Sequence, residues 1–326
     1  MEKILVVFDG LLKRRISRKG FLKLCATAMA YIASGNRFLR LALAAGSESQ
    51  GRQKSALKGE YDLVVAEGQD PYLNTVKAIE AMGGMARFVK KGAVVVIKPN
   101  IGWDRTPAQA ADTDPQVVAA LVDLCYKAEA KRVNVFDIPC NDPRRCYENS
   151  GIQEAAKQRG AYVYFVDNWD MIKAKFKYPS KMEGWPIYRD AVECDTFINV
   201  PVLKHHGLTG LTLSMKNLMG VCGSSRGIMH QNIGPDLVDV TDFISPELTV
   251  IDATRVLVRN GPTGGDLDDV IAMNKVIVST DSTLADSYAC SLLNKDPMTV
   301  PNIKEAVARN FGNADISKAN IHTLRT

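Results

Sequence analysis

The strongest constraint on this chain is a set of short, continuous apolar runs, each ending in a polar residue or a turn. The run at 93–98 (AVVVIK) leads to Pro99 and Asn100, and that at 132–136 (RVNVF) leads to Asp137. The run at 196–200 (TFINV) precedes Lys204 and a histidine pair, that at 248–251 (LTVI) ends at Asp252, and that at 276–280 (VIVST) ends at Asp281. A β-branched run with no polar alternation is buried on both faces, which is the signature of a parallel strand covered by helices. Further strands are expected at 61–66 and 161–166, and helices at 71–82, 115–128, 151–159, 235–244, 282–293 and 301–310. The expected fold class is therefore α/β: a mostly parallel sheet with helices on both faces, forming a single body over residues 60–326. At 326 residues and 46% hydrophobic composition the chain can bury such a core. Strand ends of this kind gather at one edge of the sheet, the crevice where open α/β folds bind ligands.

One stretch concentrates chemistry at that edge. Residues 196–223 run from a strand through Lys204, His205 and His206, past Gly207 and Gly210, into a helix expected at 211–219 that carries Lys216 and Asn217 before Gly220. Three of the four histidines, at 205, 206 and 230, lie in or just after it. Cations and hydrogen-bond donors exposed on a loop after a strand suit an anionic or carbonyl-bearing small molecule. On this reading His206, Lys204 and Lys216 are the catalytic candidates, with His206 as acid/base. Lys98, Asn100, Asn217, Gly220, Asp252 and Asn260 are the ligand-binding candidates. Lys98 carries extra weight, because a lysine ending a buried strand is costly unless it meets a partner or solvent. The loop at 260–265 (NGPTGG) is placed to close over the crevice. Two rival readings remain open: a metal or redox-cofactor site using His205, His206 and His230 with Asp252, which the nearby lysines oppose, and a non-catalytic anion-binding protein. The structural alternatives are ordinary ones. A His-His pair can be solvated loop, Lys216 can lie along a helix surface, Asp281 reads as a helix cap, and Asp137 reads equally as cap or site.

Several classes are excluded. No G-x-G-x-x-G or Walker A sequence occurs, so no nucleotide fingerprint is present, and neither G-x-S-x-G nor H-E-x-x-H is found. The seven cysteines form no C-x-x-C pair or ferredoxin-type run, which argues against cysteine-ligated iron–sulfur and against a disulfide framework. The cofactor is thus unspecified, with a metal ion as one option. Net charge is +5, but residues 1–44 hold nine Lys/Arg against two acidic residues, leaving 32 basic and 34 acidic residues elsewhere. The basic balance belongs to the N-terminus, and nucleic-acid binding loses its main support. Oligomeric state is not legible in the pattern.

Residues 1–45 read as a targeting segment. Ser17-Arg18-Lys19-Gly20-Phe21-Leu22-Lys23 is similar to the twin-arginine export signal with lysine at the second basic position, an apolar run follows at 24–33, and Ala42-Leu43-Ala44 supplies a cleavage pattern. The expectation is a folded protein carried by the twin-arginine machinery to the periplasm or another extracytoplasmic space, with residues 46–59 as a linker. The alternatives are a cytoplasmic protein, or a basic amphipathic helix lying on the body or on a membrane.

Taken together, IKPNIG (97–102), VNVFD (133–137), NVPVLKHHGLTGLTLSMKNLMGV (199–221), VIDATRVLVRNGPTGG (250–265) and VSTDSTLADSYA (278–289) resemble the family of domain of unknown function 362. The resemblance extends over roughly 62–293. It implies that His206 is the family's histidine, with His205 where threonine is more usual, and that twin-arginine leaders are familiar among relatives. Some members carry a ferredoxin-like iron–sulfur segment, and no cysteine run of that kind occurs here. The resemblance implies no particular reaction.

Overall fold

The computed structural model describes residues 48–54, 59–166 and 170–326. The leader expected at 1–45 lies outside the described residues. Among those described, one ten-stranded sheet organises the body. Its strands are β1 (Leu63–Glu67), β2 (Val94–Pro99), β3 (Arg132–Val135), β4 (Tyr162–Val163), β5 (Thr196–Val200), β6 (Val202–His206), β7 (Gly210–Thr212), β8 (Leu248–Leu257), β9 (Val270–Ser279) and β10 (Ile321–Arg325). The order is β10-β1-β9-β8-β5-β2-β3-β4, with β6 alongside β8 beyond the end of β5, and β7 paired to β6. Six strand pairings are parallel and three antiparallel, so the sheet is mostly parallel as expected.

Helices are α1 (Pro71–Ala81), α2 (Pro115–Lys127), α3 (Pro143–Asn149), α4 (Ile152–Gln158), α5 (Arg189–Glu193), α6 (Ser214–Asn217), α7 (Ile233–Ile244), α8 (Ser282–Leu292) and α9 (Pro301–Ala308). They cover both faces because successive strand residues point to opposite sides. Val95 and Ile97 of β2 pack with α1 and α2 residues such as Ile79, Val118 and Leu121, whereas Val96 packs with Phe197, Tyr188 and Leu237 on the other side. A third cluster places Leu63, Val65, Ile251 and Ile277 against Leu284 and Ile303 of α8 and α9. Helix starts follow their sequence signals. Asp114 caps α2 by accepting from the Gln116 amide, with Pro115 at the first helical position, and Asp281 caps α8 through the Thr283 and Leu284 amides.

Three expectations need correction. The segment 46–59 is not a free linker over its described part: Glu48–Ser49 pairs with Met171–Ala174 in a small three-stranded sheet, and Nη2 of Arg52 donates to both carboxylate oxygens of Glu247 at 2.6–2.7 Å. Lys204, His205 and His206 are not on a loop but in β6, because Val202 and Lys204 find partners along β8. The helix expected at 211–219 is a single turn, α6, followed by the 3-10 turn Leu218–Val221. Residues 210–212 before it have been drawn into the β6–β7 hairpin.

Candidate functional site

The C-terminal ends of β2, β3 and β6 and the loop after β8 enclose a cavity of about 670 Å³. Its floor is an ion pair. Lys98, the last lysine of β2, is 1% exposed and places Nζ 2.7 Å from Oδ1 of Asp137, just past β3. The same ammonium donates to the Pro99 carbonyl at 2.8 Å and to Oδ1 of Asn217 at 3.1 Å. Burial lowers the Lys98 pKa and the Asp137 charge opposes that shift. Asp137 Oδ2 also accepts the Ile101 amide at 2.7 Å. The cost foreseen for a lysine at a buried strand end is offset by a carboxylate from the neighbouring strand.

Asn217 is the joint of the site. Its Nδ2 donates to the Lys98 carbonyl and to Oδ1 of Asn199 on β5, and its Oδ1 accepts from Lys98 and from Nδ2 of Asn100. The turn that carries it is pinned at its start by Asp286 of α8, which accepts the Ser214 amide at 2.7 Å and the Met215 amide at 3.3 Å. Burial pushes the Asp286 carboxyl up to about 7. Gly220 lets the backbone close over the floor: a Cβ there would lie 1.8 Å from Asp137 Oδ1 and 2.6 Å from Lys98 Nζ.

Above the floor the charged groups are cations. Lys216 reaches no carboxylate among the described residues, and its ammonium lies 3.4 Å from the Met219 sulfur and 3.4 Å from Nε2 of His230. Burial, with repulsion from Lys204, draws its pKa down to about 8. His230 Nδ1 lies 3.0 Å from the Gly227 carbonyl, so it holds the proton there and offers the Nε2 lone pair to Lys216. His206 is fixed in the opposite tautomer. Its Nδ1 accepts the Leu208 and Thr209 amides at 3.2 and 3.3 Å, which leaves the proton on Nε2. Burial and the adjacent cations, Lys216 foremost, push the His206 pKa down to about 3. This environment favours the neutral imidazole, with Nε2–H free to donate into the cavity. The two imidazoles stack with centroids 5.8 Å apart. Arg226 closes one side, donating to the Pro139 and Met219 carbonyls, with the Cys140 sulfur 3.6 Å away.

Of the residues singled out from sequence, Lys98, Asn100, Asp137, His206, Lys216, Asn217, Gly220 and His230 line this cavity, as does the loop at 261–263. The others do not. Lys204 shares the face of His206 but is buried below it, donating to the Ala111 carbonyl with its ammonium 5.9 Å from the Trp103 ring centroid. Burial draws its pKa down to about 8 against the attraction of Asp112, whose own carboxyl is raised to about 7. His205 points to the opposite side of β6 and accepts the Gly261 amide at 3.1 Å. Asp252 holds the Asp114 amide and Thr254, its carboxyl pushed up to about 6 by burial and by Asp114, and it does not reach the cavity. Asn260 is bound to Asp269 at 2.6 Å. The three histidines therefore do not converge with Asp252. Among the described residues no group of three or more His, Cys, Asp or Glu side chains is arranged to hold a metal.

Sequence reasoning missed Trp103 and Arg226. Asp137 was readable from its strand-end position, whereas Arg226 lies in a Ser-Ser-Arg-Gly turn with no periodic signal.

Comparison with known proteins agrees with this picture at the level of family. The family model for the domain of unknown function DUF362 matches residues 95–291, which include every cavity-lining residue named above. A thylakoid-associated protein of Synechocystis sp. is 28% identical over 239 residues, covering 69% of this chain and 70% of that protein. Among solved structures, the lactate racemase apoprotein from Thermoanaerobacterium thermosaccharolyticum aligns with a TM-score of 0.42 and 11% identity, covering 74% of this chain and 59% of that one. The aligned region is less than two thirds of the racemase chain. No helix among the described residues is long and apolar enough to cross a membrane.

Proposed function

The chain belongs to the DUF362 family, and from that premise we propose that it is an enzyme acting on a small molecule bearing a carboxylate, phosphate or reactive carbonyl. The observation that carries this reading is the Lys216 ammonium, which faces the cavity beside a thioether and a neutral imidazole and reaches no carboxylate among the described residues, the Asp137 carboxylate of the floor being paired with Lys98. A partly buried cation without a counter-charge favours an anion. Arg226, which also reaches no carboxylate among the described residues, would share that charge. His206 Nε2–H would donate to the oxygen on which negative charge grows during reaction, a role a neutral imidazole fills without a proton being lost. Lys216, with its pKa drawn to about 8, is suited to give and take a proton near neutral pH. The Lys98–Asp137 pair and Asn217 would hold these groups in register. Export on the twin-arginine route belongs to the same proposal, resting on residues 17–44. Fusion of residues 1–50 to a folded reporter tests it, and retention in the cytoplasm would refute it.

The experiment for the site is a thermal-shift screen of small carboxylates, phosphates and keto acids, followed by NMR of the protective compounds with the protein in deuterated water. Protection, with conversion or deuterium incorporation that Lys216→Met removes, is the expected result. Protection without conversion would leave a non-catalytic binding protein, and absence of protection by every anion would end the proposal.

A further inference from the structure

Among the described residues two lysines line the cavity, and they differ in what they meet. Lys98 is buried and paired with Asp137, so its nitrogen is committed to the floor. Lys216 is only half-buried, and its nitrogen has the Met219 thioether and the Nε2 lone pair of His230 as neighbours, each at 3.4 Å. Nothing in that shell requires a charged nitrogen: the N–H of a neutral amine donates to the His230 lone pair as an ammonium does. Arg226 stands in the same cavity as a cation that cannot lose its charge, donating to the Met219 carbonyl. His206, its ring stacked on that of His230, adds a neutral Nε2–H donor. A lysine among apolar groups and other cations is the arrangement in which the amine acts as a nucleophile towards carbonyl compounds. With its pKa drawn down to about 8, about a quarter of Lys216 side chains are free amine at pH 7.5, against roughly one in a thousand for a solvated lysine.

We propose that Lys216 condenses with the carbonyl of an oxo acid, a small molecule carrying a ketone or aldehyde together with a carboxylate, and holds it as an imine. This rests on the reading of the cavity as the site of a small anion or carbonyl compound, and adds to it the substrate class and a covalent step. The amine attacks the carbonyl carbon, so a C–N bond forms as the C=O π bond breaks. The resulting carbinolamine then loses its oxygen as water while the C=N bond forms. Counted from the ammonium and the carbonyl, the products are an iminium ion and water, with both hydrogens of the water drawn from the ammonium. Charge and atoms balance with no further reactant. Arg226 would hold the carboxylate, and His206 Nε2–H would donate to the carbonyl oxygen as negative charge grows on it. The positive imine nitrogen then withdraws electrons from the adjacent carbons, which loosens their protons.

The test is reductive trapping. The full chain is incubated with cyanoborohydride and pyruvate, 2-oxoglutarate or levulinate, which differ in the reach from carbonyl to carboxylate, with acetone as the uncharged control. Intact mass and peptide mapping then locate the reduced adduct. A single adduct per chain on Lys216 with at least one oxo acid, and at least about tenfold less with acetone, is the expected result. Lys216→Arg keeps the positive charge but has no amine to condense, so it should still be protected thermally by acetate or phosphate while giving no adduct. Arg226→Gln should lower trapping of the oxo acid and leave that of acetone unchanged. Adducts spread over surface lysines, or the same yield in Lys216→Arg as in wild type, would overturn the inference. So would acetone trapped as well as the oxo acids, since the carboxylate would then go unrecognised. No adduct from any probe, with anion protection intact, would overturn it and leave the anion site standing. Absence of both adduct and protection would remove the underlying function instead.

Discussion

Replacing Lys216 by methionine should make the protein without ligand more stable, contrary to the usual effect of altering a half-buried residue. Its ammonium sits among a thioether, an imidazole and other cations, and its pKa falls from 10.5 to about 8. Holding that charge in the folded state therefore costs about 3 kcal/mol at neutral pH, at ~1.4 kcal/mol per tenfold change in proton affinity. Methionine keeps most of the aliphatic stem, so much of this cost should be recovered, giving a gain of roughly 1–3 kcal/mol. For a body of this size that is a rise in Tm of roughly 2–8 °C. The pH dependence identifies the cause. Because the folded-state pKa lies below the unfolded one, the unfolded chain binds more protons between about pH 8 and 10.5, and wild-type stability from this group rises with pH across that window. The advantage of Lys216→Met should be full below pH 8 and fade by pH 10.5. Protection by an anion should follow the opposite pattern: a ligand at 100 times its Kd stabilises wild type by about 2.7 kcal/mol and the variant by much less. Urea denaturation of both proteins at pH 7 and pH 10, with and without a protective anion, measures all three quantities. A variant less stable than wild type at pH 7, by an amount that does not change with pH, would refute the reasoning and make Lys216 a structural residue.

Lys98→Met should act in the opposite direction, losing about 3–5 kcal/mol in urea denaturation because it strands the buried Asp137 carboxylate; a neutral outcome would remove the ion pair from the account of the floor. Gly220→Ala should abolish anion protection and lower Tm, since its Cβ falls 1.8 Å from Asp137 Oδ1, and a variant that still binds would mean the floor can shift. Nitrogen-15 NMR of the imidazoles should find His206 as the Nε2–H tautomer with no titration between pH 4 and 8, and a midpoint inside that range would contradict its environment. Arg52→Ala should destabilise the body by about 3 kcal/mol, because Glu247 is buried and would lose its cationic partner.

Much of the frame was determined by the sequence alone, because it depends on local rules. Continuous β-branched runs must be buried on both faces, so β2, β3, β5 and the start of β8 could be read with their polar ends. Helix starts at Pro71, Pro115 and Ser282 followed from Asp and Pro chemistry. Those ends also supplied Lys98, Asn100 and Asp137, since a residue beyond a parallel strand has one edge to go to. What the sequence did not contain was the fate of residues 202–221. Whether Lys204-His205-His206 form a loop or a strand depends on the pairing of β6 with β8, about fifty residues away, and no local propensity encodes it. Once that pairing exists, the two-residue period sends His206 to the cavity and His205 to Gly261, and buries Lys204 beneath the site. The hairpin then shortens the expected helix to one turn, and that turn delivers Lys216, Asn217 and Gly220 to the Lys98–Asp137 floor. The tautomer of His206, the setting of Lys216 away from every carboxylate among the described residues and the arrival of Arg226 are consequences of that long-range closure. They are properties of the environment a side chain meets, and a sequence specifies that environment only through the contacts of the folded chain.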